Sequence, residues 1–405
     1  MNWQAAREEN DTLLGHRLDE IRKGELLTAL VPFARCYLGM FHDLDNELPG
    51  RQRIALLANE SLCDAILQGF VALLSNTALP AAQEIARQPQ EAARLGYVVL
   101  AGMDYLVRND AQTAAALPKS VLQSALCFHF SLTPTQDTPW VSQLLRRSEL
   151  ASGMFSEYWR ALLQRGERVL PGYLRVFRSN QLPEVASRVV IPLLTDWSQC
   201  RKPYLKEMLY AAFAHGHEAS LLSLARDKLA QAEQLDETSR VYWYGCAFLL
   251  ASEEFANPLA GYIGRVKQKA LPLLDFVIGL VRPDLPQSLP LSANAVAQLL
   301  RILGPVFPPQ SCTYGTLGWL DVNSQNVMWL MYLLASYHGS AGSTALKTLR
   351  KARTMRIYAA CLDYVAELQQ KAVPENDPLP TYSEFVDVLI NEHKLDGRSK
   401  RQGAH

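Results

Sequence analysis

The sequence predicts an all-α protein: a degenerate α-solenoid of stacked helical hairpins, with an irregular multi-helix array as the alternative. Apolar residues recur at helical spacing along nearly the whole chain, and strand-like alternation is hard to find. The chain has 405 residues, 49% of them hydrophobic and 20% charged, so it can bury extensive apolar surface. One core cannot serve that many amphipathic helices, whereas stacked hairpins bury each stripe against the next pair.

The stripes are explicit. Leu62, Ala65, Ile66, Gly69, Phe70 and Leu73 fall on one face of a helix, as do Leu205, Met208, Leu209, Ala212 and Phe213. Val327, Leu330, Met331, Leu334 and Tyr337 repeat the pattern. Proline, glycine and polar clusters punctuate these segments, as at Leu48-Pro49-Gly50, Arg87-Gln88-Pro89, Leu117-Pro118 and Gln181-Leu182-Pro183. Thr381 and Glu384 have the spacing of a capping box. No fixed repeat period is present, and the tetratricopeptide and ankyrin signatures are absent, which leaves a HEAT- or armadillo-like stack.

Composition excludes several classes of function. Forty basic residues balance 40 acidic ones, which argues against a protein that coats nucleic acid or anionic membrane, while leaving a local basic patch open. Seven cysteines are scattered singly with no CxxC pair, as expected of buried thiols in a reducing compartment. The polar N-terminus lacks a secretory pattern, and the most apolar run, 270–281, carries Pro272 and Asp275 and is too short for a bilayer. The expected location is cytoplasmic.

Four regions are expected. Residues 1–281 read as an N-terminal helical-repeat region and 282–318 as a proline-rich break with a short helix at 293–303. Residues 319–392 follow as a C-terminal helical region, then 393–405 as a flexible basic tail with Lys394, Arg398, Lys400 and Arg401. Between 285 and 346 the only charged side chains are Arg301 and Asp321, where the chain-wide proportion predicts about a dozen. Either these helices are enclosed on several sides, or they offer an apolar surface to a partner.

Catalytic motifs are missing. No GxxxxGK[ST], no GxGxxG after a strand, no GxSxG and no HExxH occurs. His215-Gly216-His217-Glu218 resembles a metal cluster but lacks a third ligand at a defined spacing, and reads better as a helix-to-helix turn stopped by Gly216. Gly339-Ser340-Ala341-Gly342-Ser343 reads as a flexible inter-helix loop, and Asp43, Asp45 and Glu47 as a solvated turn. Tyr242-Trp243-Tyr244 reads as core and contact aromatics. No cofactor or metal is expected. An enzyme with dispersed active-site residues is a weaker reading, since no convergent group is assigned.

Two basic clusters bear on nucleic acid. Arg165, Arg168, Arg175 and Arg178 would share one face of a continuous helix, though Pro171-Gly172 threatens that continuity. Lys347, Arg350 and Lys351, with Arg353 and Arg356, form the second cluster and would point around the whole of one helix.

The last quarter carries a resemblance. An apolar helix at 327–334 leads through Ala335-Ser336 to the small-residue segment 339–342. Ala345, Leu346 and Leu349 follow, then a helix at 355–370, then Leu379-Pro380-Thr381 with Phe385, Val386, Leu389 and Ile390. This cadence resembles the C-terminal helical repeats of bacterial NACHT and related STAND defence proteins. The match covers about a fifth of the chain, and the NTPase core of those proteins is absent from this sequence. The resemblance implies a recognition or scaffold segment and transfers no functional residue.

The sequence therefore predicts a non-enzymatic, cytoplasmic, bacterial scaffold or recognition subunit that binds another protein, such as an NTPase or another subunit of a complex. Its expected contact residues are Trp319, Trp329 and Tyr332. A nucleic-acid binder using Arg165, Arg168, Arg175, Arg178, Lys347, Arg350 and Lys351 is the alternative. No membrane partner is expected.

Overall fold

The computed structural model describes residues 3–41, 45, 47–133, 138–167, 169–177, 181–196, 202–281, 290–308, 311–314, 317–320, 322–371 and 379–391. Among them the fold is helical throughout, apart from one short hairpin. The chain divides into two compact units, Met1–Trp197 and Ser198–His405. That division falls inside the expected region 1–281 and groups 198–281 with the C-terminal helices. Much of the expected break (282–289, 309–310 and 315–316) and the basic tail from Lys394 to Arg401 lie outside the described residues.

The first unit begins with α1 (Trp3–Leu14), a 3₁₀ turn (Gly15–Arg17), α2 (Leu18–Arg22), α3 (Leu27–Tyr37) and α4 (Gly50–Ala55). It continues through α5 (Glu60–Asn76), α6 (Ala82–Arg87), α7 (Pro89–Asn109), α8 (Ala111–Ala116) and α9 (Lys119–Leu132). It closes with α10 (Pro139–Leu145), α11 (Ser148–Gln164), α12 (Tyr173–Phe177) and α13 (Pro183–Asp196).

Long and short helices alternate here. The long ones form a row in which α5 packs on α7, α7 on α9, α9 on α11 and α11 on α13. Small residues set the spacing. A Cβ at Gly69 would lie 2.1 Å from the Ile21 carbonyl oxygen, so α5 meets α2 backbone to backbone. The stripe Leu62, Ala65, Ile66, Gly69, Phe70 and Leu73 is buried as its spacing requires. Further along, Phe130, Phe155, Trp159 and Phe177 pack ring against ring in tilted contacts, with successive centroids 5.0, 4.6 and 5.6 Å apart.

The second unit contains α14 (Lys202–Ala214), α15 (Glu218–Ala230), α16 (Glu237–Leu250), α17 (Ser252–Ile263), α18 (Lys267–Val281) and α19 (Ala293–Leu303). A hairpin of β1 (Ser311–Tyr314) and β2 (Leu317–Leu320) follows, with Cys312 opposite Trp319. Then come α20 (Val322–Ala335), α21 (Gly339–Lys351), a 3₁₀ helix (Arg353–Tyr358), α22 (Ala359–Lys371) and α23 (Tyr382–Asn391).

The charge-poor α20 is the hub of this unit, packed against α18, α19, α21, α22 and α23. Ser324, Val327, Met328, Leu330, Met331, Leu334 and Ala335 are all buried along it. Of the two readings of the low-charge stretch, enclosure therefore describes α19 and α20.

The segment 339–343 departs from expectation: it is the first turn of α21, not a loop. Gly342 is buried, and a Cβ there would lie 2.0 Å from the Tyr337 carbonyl oxygen. The small residues let the helix start directly against the preceding chain, which outweighs their weak helix propensity.

Candidate functional site

A polar concavity lies in the first unit, where α3, α4, α7, α9 and α10 converge on a cleft of about 420 Å³. Asp104 on α7 is its organising acid. The Tyr37 hydroxyl donates to Asp104 Oδ2 at 2.9 Å, and Arg108 Nε donates to the same oxygen at 2.8 Å. The Asp104 side chain is only 14% exposed, against 66% for Arg108. Burial first, then the Asp104 charge, pushes the Tyr37 phenol well above its ordinary value. The phenol is therefore a firm donor at neutral pH.

Arg53, from α4, lines the cleft with its Nε enclosed and without a hydrogen-bond partner among the described residues. Thr138 stands at the N-cap of α10, yet its hydroxyl makes no cap bond. Its Oγ1 is likewise enclosed without a partner among the described residues. His129, on α9, is 1% exposed; its Nδ1 lies 3.3 Å from Thr133 Oγ1, and its ring meets Trp140 edge-on at 5.9 Å. Sequence reasoning missed this site, because its groups come from several helices and none forms a local motif. The one visible signal was a histidine inside the apolar run Ala125-Leu126-Cys127-Phe128-His129-Phe130.

The expected partner-binding aromatics have other neighbours. Trp329 and Tyr332 are half-buried on α20 and sit against α23. The Trp329 ring lies 4.8 Å from that of Tyr382, and Tyr332 lies 5.4 Å from Phe385. The Tyr332 hydroxyl donates to the Pro380 carbonyl at 2.8 Å. These two half-buried residues both contact α23. Trp319 belongs to β2, and its side chain lies outside the described residues.

The arginine stripe of the first unit does not form on one helix. Helix α11 ends at Gln164, because Gly166 adopts φ +75° and the Glu167 N–H reaches back to the Leu162 carbonyl at 3.0 Å. Chain direction changes again at Gly172, while the Pro171 carbonyl accepts from Trp159 Nε1 at 2.9 Å. Arg165 donates to the Ala86 carbonyl and Arg175 to Ser142 Oγ, both within the unit. Arg168 and Arg178 lie outside the described residues.

The second basic cluster is better ordered than its sequence suggested. Helix α21 buries Gly342, Ala345, Leu346 and Leu349, which leaves Lys347, Arg350 and Lys351 exposed together on the opposite face. The α-helix stops at Lys351, and the chain continues as 3₁₀, where Arg353 and Arg356, three residues apart, also share a face. The expectation of charges spread around one helix fails because the helix type changes within the cluster. Arg350 pairs with Asp363 on α22.

His215, Gly216 and His217 form the expected turn. Gly216 has φ +70°, and the His217 N–H bonds the Ala212 carbonyl at 3.0 Å, closing α14 before α15 begins at Glu218. Burial first, and then His217, lowers the His215 pKa. Among the described residues, no group of three or more histidines, cysteines or carboxylates is placed to hold a metal ion. Nor is any described helix long and apolar enough to cross a membrane. Tyr242 and Trp243 are buried on α16, and Tyr244 stacks on Tyr262 at 4.9 Å.

No family model, curated protein or solved structure matches the chain.

Proposed function

We propose that this chain is a non-enzymatic macromolecule-binding protein, a cytoplasmic scaffold or recognition subunit built as a degenerate α-solenoid. The macromolecule gripped at α21 is a nucleic acid. The alternation of long and short helices in the first unit supports the stacked architecture. The cadence of the last quarter supports a recognition role in a bacterial defence system.

The observation that carries the partner assignment is the face made by Lys347, Arg350 and Lys351, followed along the chain by exposed Arg353 and Arg356. Exposed cations grouped on one helix face match a phosphate backbone, whose binding rests on charge and not on sequence. The neutral total charge argues against such binding being spread over the whole surface.

Fluorescence anisotropy with labelled single- and double-stranded DNA across a salt series tests it. Binding should weaken steeply with salt. Lys347→Ala with Lys351→Ala should flatten the slope by about 0.9 for each duplex phosphate that is no longer neutralised. No salt-sensitive binding at low ionic strength would remove nucleic acid as the partner. Recovery from the native host of a nuclease-resistant complex with an NTPase or other subunit would then assign the macromolecule as protein.

A further inference from the structure

We propose that the partner gripped at α21 is double-stranded DNA, held along its phosphate backbone without regard to sequence. The inference rests on the nucleic-acid reading above and extends the face that carries it. At about 100° per residue, Ser340, Ser343, Thr344, Lys347, Arg350 and Lys351 fall within one sector of the helix about 120° wide. All of these residues are exposed, while Gly342, Ala345, Leu346 and Leu349 fill the buried side of the same helix. The row runs about 16 Å along the axis, with hydroxyls in its N-terminal half and cations in its C-terminal half.

The make-up of this row selects the ligand. Lysine, arginine, serine and threonine supply most of the hydrogen bonds that proteins make to phosphate oxygens, and such bonds carry no sequence information. Base edges are read largely by arginine and by amide and carboxylate side chains; α21 contains no Asn, Gln, Asp or Glu, and its single arginine, Arg350, pairs with Asp363. Thr348, at the edge of the sector, donates its hydroxyl to the Thr344 carbonyl at 2.9 Å and stands outside the row. Single strands gain much of their affinity by stacking bases on aromatic rings. Residues 339–357 include no aromatic side chain, and Tyr358 after them is wholly buried. A face of cations and hydroxyls therefore discriminates by charge density. A duplex presents a phosphate charge about every 1.7 Å of axis and one strand about every 3.4 Å, so the same row meets about twice the charge on a duplex.

Anisotropy of the full chain with a mixed-sequence duplex, a scrambled duplex and oligothymidine of equal length, each across a salt series, tests this. The two duplexes should bind within about threefold of each other, and about tenfold or more tighter than oligothymidine at equal salt. Ser343→Ala with Thr344→Ala should weaken duplex binding about three- to tenfold. The salt slope should not change in that variant, because a hydroxyl releases no counterion, whereas Lys347→Ala should lower it. The unfolding midpoint of the hydroxyl variant should hold or rise, since alanine is the better helix former. Oligothymidine bound as tightly as the duplexes, or a strong preference for one duplex sequence, would overturn this assignment and leave the nucleic-acid reading standing. Unchanged duplex affinity in the hydroxyl variant would overturn the extended row. No salt-sensitive binding to any of the three probes would sink both readings together.

Discussion

The hydroxyl of Tyr358, in the 3₁₀ helix after α21, donates to the backbone carbonyl of Phe307, just beyond α19. The Gly304 carbonyl lies 3.2 Å from the same oxygen, and the Tyr358 side chain is wholly buried. One side chain thus ties the segment that carries Arg353 and Arg356 to the end of a distant helix. Tyr358→Phe would leave a buried carbonyl without its donor, at about 1–3 kcal/mol. Urea unfolding should show the stability falling by that amount with the slope unchanged. An unchanged midpoint would mean that water replaces the phenol and that the tie contributes nothing.

Two glycines give opposite predictions. Gly342 opens α21 against the Tyr337 carbonyl, so Gly342→Ala must push that backbone approach apart and destabilise the second unit. Gly261 lies near the end of α17, exposed, and a Cβ there would meet nothing within 4 Å. Gly261→Ala should therefore stabilise by about 0.5–1 kcal/mol through helix propensity and a less flexible unfolded chain. Thermal unfolding of the two variants side by side reads the difference in sign.

The contrast between these glycines shows where sequence reasoning reached and where it stopped. Periodicity located the buried stripes of α5, α14 and, as far as Leu334, α20, because burial on one side of a helix writes itself into spacing alone; Tyr337, the last of that series, lies past the helix end and is half-buried. The turn at Gly216 and the cap joining Thr381 and Glu384 were legible for the same reason: both depend on neighbours within five residues. The start of α21 at Gly339 was not, since Gly342 serves a close approach to Tyr337 that the local pattern does not record. The hairpin Ser311–Tyr314 with Leu317–Leu320 was also missed, because neither short strand shows a clear apolar alternation. The cleft around Arg53, Asp104 and Thr138 is the extreme case, assembled from helices far apart in sequence.

Alkaline pH should destabilise the protein through groups held neutral in the fold. Burial pushes the Cys36 thiol from 9.0 to about 12, despite the opposing charge of Arg53. Cys127 and Cys246 are raised well above the ordinary value by burial, and Tyr37 is raised by burial and then Asp104. A raised folded-state value means that the unfolded chain ionises first. The stabilising contribution is complete below the unfolded value of 9.0 for the Cys36 thiol and is lost as pH climbs toward about 12. Each such group removes up to about 1.4 kcal/mol per pH unit inside its window. Denaturant unfolding should give constant stability from neutral pH to about 8.5, then a decline that is shallower in Cys36→Ala. Stability that stays level to about pH 11 would mean the thiols ionise equally in both states.

The ion pair between Arg350 and Asp363 sets how many charges the α21 face presents. Both side chains are substantially exposed, 43% and 66% respectively, so the pair contributes little to folding. Its larger effect is to hold one guanidinium of the basic face against a carboxylate. Asp363→Asn should leave the stability within about 0.5 kcal/mol of the parent. It should also release Arg350 to a phosphate, tightening DNA binding at low salt and steepening the salt dependence by up to about 0.9. Arg350→Ala should undo that gain when combined with Asp363→Asn, because the acid acts through this arginine. A steeper slope that survives in the double variant would show that Asp363 repels the polyanion directly, and that Arg350 does not touch it.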